Sequence, residues 1–524
     1  MAAPHPTAAP RPMPIGTPPL TTRAMIGLLG IFLAAMMAGL NGRSGSLGLA
    51  DVRGALGFGS DEASWLNTLY SAGELVAMPF TTWFAITFSV RRFHLSMLAL
   101  SAVIAVVLPL TVDLNLLLIL RLVQGMSAGA LIPLLMMMAL KTLPPSIRLH
   151  GLALYAMTAT FAPNVAIWIV GQWTDVVADW RWLYWQFVPV AVVSGALVAW
   201  ALPREPIVWN RFSSINWMGL LTGIPGLLLL AVSLDQGNRL DWFNSPLICS
   251  AMTIGCICLV AYAVVEWSHP APFIKFQLLA RRNLHLGFTI FIFMLIVFLS
   301  GAVLPSSFLG TNWGYRALQS APIGLLIGLP QLVAGSLVAL LLYKKWVDAR
   351  YVFAAGLALI GISCFRGAQV DANWIWEQFV PVQIMQAIGQ PMAVVSMLFL
   401  ATSVVQPMEG PYVSGFVNTL RALSTLLGGA FINHLTEVRQ HFHSYILVDR
   451  FGDIGQSLPQ IADPTALTTA INTQVLALAT ADVYRILGYL ALALVPLPLM
   501  MQFIPAPNST PQPEPSPQPL PSHG

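Results

Sequence analysis

Two charged side chains stand inside long apolar runs of this chain, where a charge is costly. Glu74 lies in the run 64–85, and Arg121 lies in the run 116–133. A charged side chain at the centre of a membrane-spanning helix costs about 3 kcal/mol or more unless it faces a partner or a wet cavity. We therefore predict that Glu74 takes up and releases a proton; the alternative is a carboxylate fixed in a structural ion pair.

Arg43 is the next candidate, and it follows Asn41 in a stretch rich in glycine and serine. With a rise of about 1.5 Å per residue, Arg43 and Glu74 lie at similar depths, roughly 10 and 15 Å below the outer ends of their helices. We predict that the two side chains interact in at least one conformational state, with Asn41 as a neutral hydrogen-bond partner. A cation in this place favours an anionic substrate. In the alternative, the Arg43 side chain extends to the outer face of the bilayer that the chain spans.

The chain as a whole has the composition of a polytopic membrane protein. Of its 524 residues, 56% are hydrophobic and only 9% are charged, and the mean hydropathy is +0.73. A soluble domain would carry about 25% charged residues, and the scattered basic residues argue against a nucleic-acid partner. About fourteen runs are long enough to span a bilayer, at 25–49, 64–85, 93–112, 115–140, 151–171, 182–202, 215–235, 246–266, 284–306, 318–342, 351–368, 376–400, 411–433 and 479–503.

These runs group as six, two and six, which predicts an all-α fold with the plan of many secondary transporters. Lysine and arginine concentrate in alternate loops, and this bias places both termini in the cytoplasm. The predicted divisions are a proline-rich tail, a six-helix half, two central helices, a second half containing a long outer loop at 434–475, and a second proline-rich tail. Their bounds are 1–22, 23–203, 204–270, 271–503 and 504–524.

The sequence contains no pattern typical of an enzyme, a metal site or a nucleotide-binding loop. His434, His441 and His443 stand near Glu437, and we interpret this segment as a solvated, partly helical loop. The four cysteines fall in apolar runs without disulfide or metal spacing. We predict no catalytic residue, no metal and no cofactor. Asp482 and Arg485, three residues apart on one helix face, are predicted to pair.

The string Arg121-x-x-Gln124-Gly125-x-x-x-Gly129 resembles motif B of the major facilitator superfamily. The plan of fourteen runs resembles the fourteen-helix drug:proton antiporter-2 group of the EmrB/QacA type within that superfamily. Five shorter segments fit the same group, at 162–163, 180–189, 234–245, 314–319 and 421–428. The resemblance covers about residues 24–503.

This resemblance implies proton-powered export of small molecules through the bacterial inner membrane. In Gram-negative relatives a periplasmic adaptor and an outer-membrane channel complete the route. For Arg121 it implies a role in proton transfer or in holding helix 4 against helix 1; the alternative is a buried donor to helix-end carbonyls. Gln124 and Trp168 would line the substrate cavity, although an aromatic belt also explains Trp168. The structural positions of the pattern are Gly125, Gly129, Pro163, Gly171, Asp235, Asp241 and Arg421.

Three departures separate this chain from the family pattern. Asn41 replaces the acid of helix 1, and the turn between helices 2 and 3 keeps only Arg91 and Arg92 of its motif. The motif of helix 5, which is associated with antiport, keeps only Gly171. Two alternatives to export therefore stay open. One is an uptake permease of the same fold, and the other is a non-transporting sensor or structural membrane protein.

Overall fold

The chain folds into a bundle of long helices. The computed structural model describes residues 21–144, 146–455 and 464–507, and this part of the chain contains helices, turns and loops but no strand. The first half comprises α1 (Thr22–Leu47), α2 (Leu49–Leu56), α3 (Ser60–Phe88), α4 (Val90–Val107), α5 (Leu114–Thr142), α6 (Arg148–Thr160), α7 (Ala162–Gly171), α8 (Trp182–Trp185) and α9 (Phe187–Ala201).

Two further helices precede the second half of the chain. They are α10 (Trp217–Gln236) and α11 (Pro246–Ser268), and they pack against each other. The remaining helices are α12 (Arg282–Trp313), α13 (Ala317–Leu342), α14 (Ala349–Gly367), α15 (Val380–Thr402), α16 (Gly410–Gly455), α17 (Pro464–Leu494) and α18 (Pro496–Leu499). We call the side on which α1 begins the inner side and the opposite side the outer side.

Among the described residues, twelve helices are long and apolar enough to cross a membrane, and there are thirteen such spans if the pair α6–α7, bent by 45°, is counted as one. The predicted run 64–85 coincides with α3, a helix of 29 residues that contains Glu74 and Pro79. By composition it is not one of these spans. The apolar, helical architecture is confirmed, whereas the count of fourteen, the division into 6+2+6 and the cytoplasmic placement of the termini stay predictions.

The segment predicted as a long outer loop is helical over most of its length. Helix α16 runs for 46 residues, about 69 Å at 1.5 Å per residue, which exceeds a hydrocarbon core of about 30 Å. The boundary predicted at residue 434 is therefore not a helix end. Beyond it, Asp482 of α17 accepts hydrogen bonds from Arg485 and Arg439 and lies 2.7 Å from His443 Nε2. The predicted Asp482–Arg485 pair is confirmed.

Glycines of the motif around Arg121 bring α5 against α3. A Cβ atom at Gly125 would lie 2.0 Å from the carbonyl oxygen of Tyr70, and one at Gly129 would lie 2.5 Å from the carbonyl oxygen of Glu74. Gly73 on α3 meets the backbone of Leu122 in the same way. Only glycine allows backbones to approach so closely. This contact sets the depth of Glu74 in the bundle.

Helix α10 lies beside α3 and α16, and polar bonds at its outer end attach it to α3. Thr68 donates to Asp235 over 2.5 Å, and Gln236 donates to Thr68. Arg239 forms a salt bridge with Asp61 over 3.3 Å. Asp241 follows in the left-handed backbone region, with φ of 59°, and accepts a hydrogen bond from Asn244. The two central helices are thus held to the first half by side-chain contacts.

Candidate functional site

Two adjoining recesses lie among the helices of both halves. The polar recess, of about 280 Å³, is lined by residues of α1, α3, α10 and α16. The apolar recess, of about 130 Å³, is lined mainly by the side chains Leu295, Phe298, Leu299, Ala302 and Val303 of α12. Arg43, Pro163, Arg421 and Thr425 border both recesses. An arginine from each half of the chain therefore stands where the recesses meet.

Four acidic or basic side chains line the polar recess: Arg43, Glu74, Asp235 and Arg421. Glu74 is half-buried, and a Cβ atom placed on Gly42 would lie 3.6 Å from its Oε2 atom. The carboxylate therefore lies against α1, one residue before Arg43. Within the described residues, however, neither Arg43 nor Glu74 takes part in a salt bridge. The two side chains thus line one recess, but the predicted pair is not formed in this structure.

Arg421 of α16 lines the polar recess and connects the two halves of the chain. Its Nη1 and Nη2 atoms donate to the hydroxyl and the carbonyl of Thr158 on α6, over 2.6 and 2.7 Å. Two neighbouring bonds have the same character: Tyr155 donates to Asn418 over 3.0 Å, and Ser414 donates to the carbonyl of Pro133 over 2.6 Å. We call these three contacts, all buried, the inner seal.

The outer side carries a different contact between the halves. Arg316, just before α13, binds Asp175 over 2.6 Å and Asp51 over 2.8 Å. Asp175 also accepts the backbone N–H of Leu318, whose backbone packs on Gly171. These hydrogen bonds, from Asp175 first and from Asp51, raise the pKa of the Arg316 guanidinium above its ordinary value. We call the Arg316–Asp175–Asp51 group the outer latch.

Arg121 lies outside both recesses, in a buried cluster of its own. Its side chain is 1% exposed, donates to Gln124 Oε1 over 2.8 Å and to the carbonyl of Leu66 over 3.2 Å, and stacks on Tyr70 at 4.4 Å. Its Nη2 atom lies 2.5 Å from a Cβ atom placed on Gly45 of α1. These contacts match a buried donor that joins α5 to α3 and α1.

Asn41, Gln124 and Trp168 do not line either recess. Asn41 is 4% exposed, and neither its amide oxygen nor its amide nitrogen has a hydrogen-bond partner. Gln124 is fully buried beside Arg121, and its amide nitrogen is likewise unpartnered. Trp168 is 41% exposed on α7, which fits the membrane-facing alternative. Their assignment to the substrate cavity has no support in the geometry.

Sequence reasoning treated Arg421 and Asp235 as structural, although the structure places both in the polar recess. The sequence patterns did not identify Asp175 or Arg316 as contacts between the halves. Arg316 could have been found, because it is a basic residue on an otherwise acidic-leaning outer side. In the described residues no cluster of three or more metal-ligating side chains occurs, and His434 instead packs against the ring of Trp242.

Comparisons with known proteins agree with this architecture. The sequence model described as Major Facilitator Superfamily matches residues 28–208. The multidrug export protein EmrB of Haemophilus influenzae is 24% identical to this chain, over 82% of this chain and 85% of that protein. The fatty acid resistance protein FarB of Neisseria gonorrhoeae is 26% identical, over 81% of this chain and 83% of that protein. The probable multidrug resistance protein EmrY of Escherichia coli is 24% identical, over 91% of this chain and 95% of that protein.

Solved structures show the same fold at low sequence identity. The human organic anion transporter MFSD10 aligns with 92% of this chain and all of its own, with a TM-score of 0.52 and 14% identity. The peptide transporter POT in complex with sulfate aligns with 91% of this chain and 95% of its own, with a TM-score of 0.54 and 15% identity. Both structures share the helical fold of this chain although their sequences differ widely from it.

Proposed function

We propose that this chain, which is similar to transporters of the major facilitator superfamily, couples proton entry to the export of a small amphipathic or anionic compound across the bacterial inner membrane. One observation carries this proposal. A carboxylate inside the helix bundle, Glu74, shares a recess with Arg43 and Arg421 and is in a salt bridge with neither. Charged groups in this arrangement are available to a proton and to a substrate.

The charge and polarity of the two recesses favour an amphipathic anion. Arg43 and Arg421 supply donors that suit a carboxylate or a related anionic group. The apolar recess beyond them, with Phe298 and Leu295, offers a place for a hydrocarbon portion. Two of the similar proteins bear names consistent with such a compound, the fatty acid resistance protein and the organic anion transporter.

Export coupled to proton entry requires that the proton and the substrate occupy the recess in turn. Glu74 takes up a proton from the outer side after the anionic substrate has left Arg43 and Arg421, and it releases this proton on the inner side before the next substrate binds. The inner seal and the outer latch would open in turn as the halves rock about the recess. Each proton that enters supplies about 2.3 kcal/mol per 100 mV, which sustains a concentration ratio of roughly fifty-fold.

The site assignments follow from these roles. We assign proton coupling to Glu74 and the substrate contact to Arg43 and Arg421. Arg121 acts as a positioning residue that holds α5 against α3, with Gly125 and Gly129 at the contact. In a Gram-negative cell the exported compound would pass to a periplasmic adaptor and an outer-membrane channel, which we propose as partners on the basis of the family resemblance.

Transport into inverted membrane vesicles tests the proposal. With an acidic vesicle interior, the wild type accumulates a radiolabelled medium-chain fatty acid or another amphipathic anion, and Glu74→Gln abolishes this accumulation while substrate exchange without a gradient persists. Glu62→Gln is the matched control, because Glu62 lies on the same helix but is exposed at its outer start. Proton-driven accumulation that survives in Glu74→Gln would remove Glu74 from the coupling step.

Arg43→Gln separates the substrate contact from proton coupling. The variant raises KM for an anionic compound by tenfold or more, because one charge-assisted hydrogen bond is worth about 1.5–3 kcal/mol. An uncharged analogue of the same chain length is affected less. Equal losses for the charged and the uncharged compound would contradict the assigned contact.

A further inference from the structure

A third cavity opens on the inner side of the first half, away from both recesses. It has a volume of about 340 Å³ and lies among the inner ends of α1, α4, α5 and α9. Its lining contains three cations, Arg23, Arg91 and Lys141, and a single carboxylate, Glu205. None of these four side chains forms a salt bridge within the described ranges. The cavity therefore has a net positive lining.

Two of the cations are fixed in place but are not saturated. Arg23 donates through Nε and Nη2 to the carbonyl of Trp200, and Arg91 donates through Nη1 to the carbonyl of Leu202. Both carbonyls stand at the C-terminal end of α9, where basic side chains are favourable. An arginine carries five N–H donors in a rigid fork, so each guanidinium keeps donors for a ligand while the helix end orients it.

The turn between α3 and α4, which forms part of the cavity wall, has a strained backbone. Ser89 has φ of 78°, in the left-handed region that favours glycine, and it lies in the cavity wall immediately before α4. Strained non-glycine residues cluster at ligand sites. No acidic residue occupies the first turn of α4 and no side chain caps it, so its partial positive charge adds to that of Arg91.

Exposed apolar side chains lie on α1 and α9, two of the helices that border the cavity. Met25 and Leu29 on α1 are 45% and 49% exposed, and Val193 and Trp200 on α9 are 52% and 58% exposed. The two helices pack side by side, and the Arg23 guanidinium lies over the Trp200 ring at 5.6 Å. A cationic cavity thus adjoins an exposed apolar surface.

We propose that this cavity binds the headgroup of an anionic phospholipid of the inner leaflet, with one acyl chain along α1 and α9. Basic cavities between helices on the cytoplasmic side suit such headgroups. The phosphate binds Arg91 and Lys141, and Arg23 with Trp200 lies at the start of the acyl chain. This site is independent of the transport cycle proposed above.

Thermal unfolding of the purified full chain tests the lipid site. In detergent micelles doped with phosphatidylglycerol, the wild type gains a larger increase in Tm than in micelles doped with phosphatidylcholine. The double variant Arg91→Gln/Lys141→Gln loses at least half of that difference. The single variant Lys141→Gln keeps the Arg91 bond to α9 and should lose a smaller part of the Tm difference. It provides a readout if the double variant does not fold. Lys344→Gln/Lys345→Gln, a pair of inner-side lysines away from the cavity, retains the full difference.

Two outcomes would overturn the proposal. One is a phosphatidylglycerol effect of equal size in the wild type and in both cavity variants. The other is equal stabilisation by glycerol phosphate or inorganic phosphate at the same concentration, since this would assign the cavity to a free phosphate compound. Neither readout requires a transported substrate, so failure of the export proposal leaves this test intact.

Discussion

The inner seal and the outer latch connect the same two halves, but they are built from opposite kinds of interaction. In the inner seal, Ser414 and Asn418 are fully buried, and Arg421 is 9% exposed. In the outer latch, the side chains of Arg316 and Asp51 are 57% and 30% exposed. One contact is a row of buried hydrogen bonds, and the other is a solvated ion group.

This difference makes the two contacts unequal in strength and in their response to conditions. Removing one partner of a buried hydrogen bond costs about 1–3 kcal/mol, whereas an exposed ion pair is worth about 0.2–1 kcal/mol and is screened by salt. The outer side should therefore open more readily than the inner side. The inner seal also contains Arg421, a proposed substrate contact, so occupation of the recess can weaken the seal.

The largest effect is expected when the inner seal loses Arg421. Arg421→Met removes two bonds to Thr158 and leaves that hydroxyl without its donor, so proton-driven accumulation in inverted vesicles should fall at least tenfold. Arg421→Lys keeps the charge without the forked geometry and should retain part of the activity. Arg485→Gln, an exposed arginine of α17 that binds Asp482, serves as the control. Activity within twofold of the wild type in Arg421→Met would contradict the importance of the seal.

The helical bundle was predictable because about twenty apolar residues in a bilayer can satisfy their backbone only as a helix. Each predicted run coincides with helical structure, including the bent pair α6–α7. The extent of α16 was not predictable in this way. Hydropathy marks only the part of a helix that lies in lipid, and residues 434–455 continue as a polar helix beyond it.

The positions of Arg43 and Glu74 along their helices predict similar depths, and both side chains line the polar recess. Positions along single helices do not predict the contact between Arg421 and Thr158, because the two residues are 263 positions apart and meet only when α16 packs near α6. Asp235 was missed for a similar reason. Its place in the recess depends on how α10 packs beside α3, and no local pattern of residues encodes that packing.

An intermediate effect is expected at Glu409, which anchors the inner start of α16. Burial raises the pKa of this carboxyl, but the hydrogen bonds from Arg281, over 2.6 and 2.8 Å, outweigh it and lower the pKa below its ordinary value. A lowered pKa stabilises the fold above the unfolded value of about 4.3, and this contribution is lost as pH falls through the folded value.

Glu409→Gln should therefore lower the free energy of unfolding by about 1–2 kcal/mol at neutral pH. The difference between variant and wild type should shrink as the pH falls below about 4. Unfolding midpoints of the purified proteins over this pH range measure it, and Glu377→Gln, an exposed acid without a salt bridge in the described residues, provides the control. A difference that stays constant with pH would show that the pair does not act through charge.

The smallest effect is expected at the outer latch. Arg316→Gln should increase labelling of Ser46→Cys in the polar recess by an impermeant thiol reagent from the outer side, in a chain whose four cysteines are replaced by alanine. The increase should be at most about fivefold, because exposed ion pairs are worth up to about 1 kcal/mol. Arg181→Gln is the control. Arg181 pairs with Asp179 in the outer loop that follows Asp175, and this pair lies within the first half of the chain.

Salt and pH distinguish the latch from a purely steric contact. High salt should raise labelling of the wild type toward that of Arg316→Gln and leave the variant unchanged, because screening weakens only the charged contact. Because the pKa of Arg316 is raised above its ordinary value, its attraction to the two carboxylates is complete below the unfolded value and is lost only as pH rises through the folded value. Labelling that is insensitive to salt in the wild type would show that the outer side is held shut by the close packing of Gly171 on Leu318 and not by the ions.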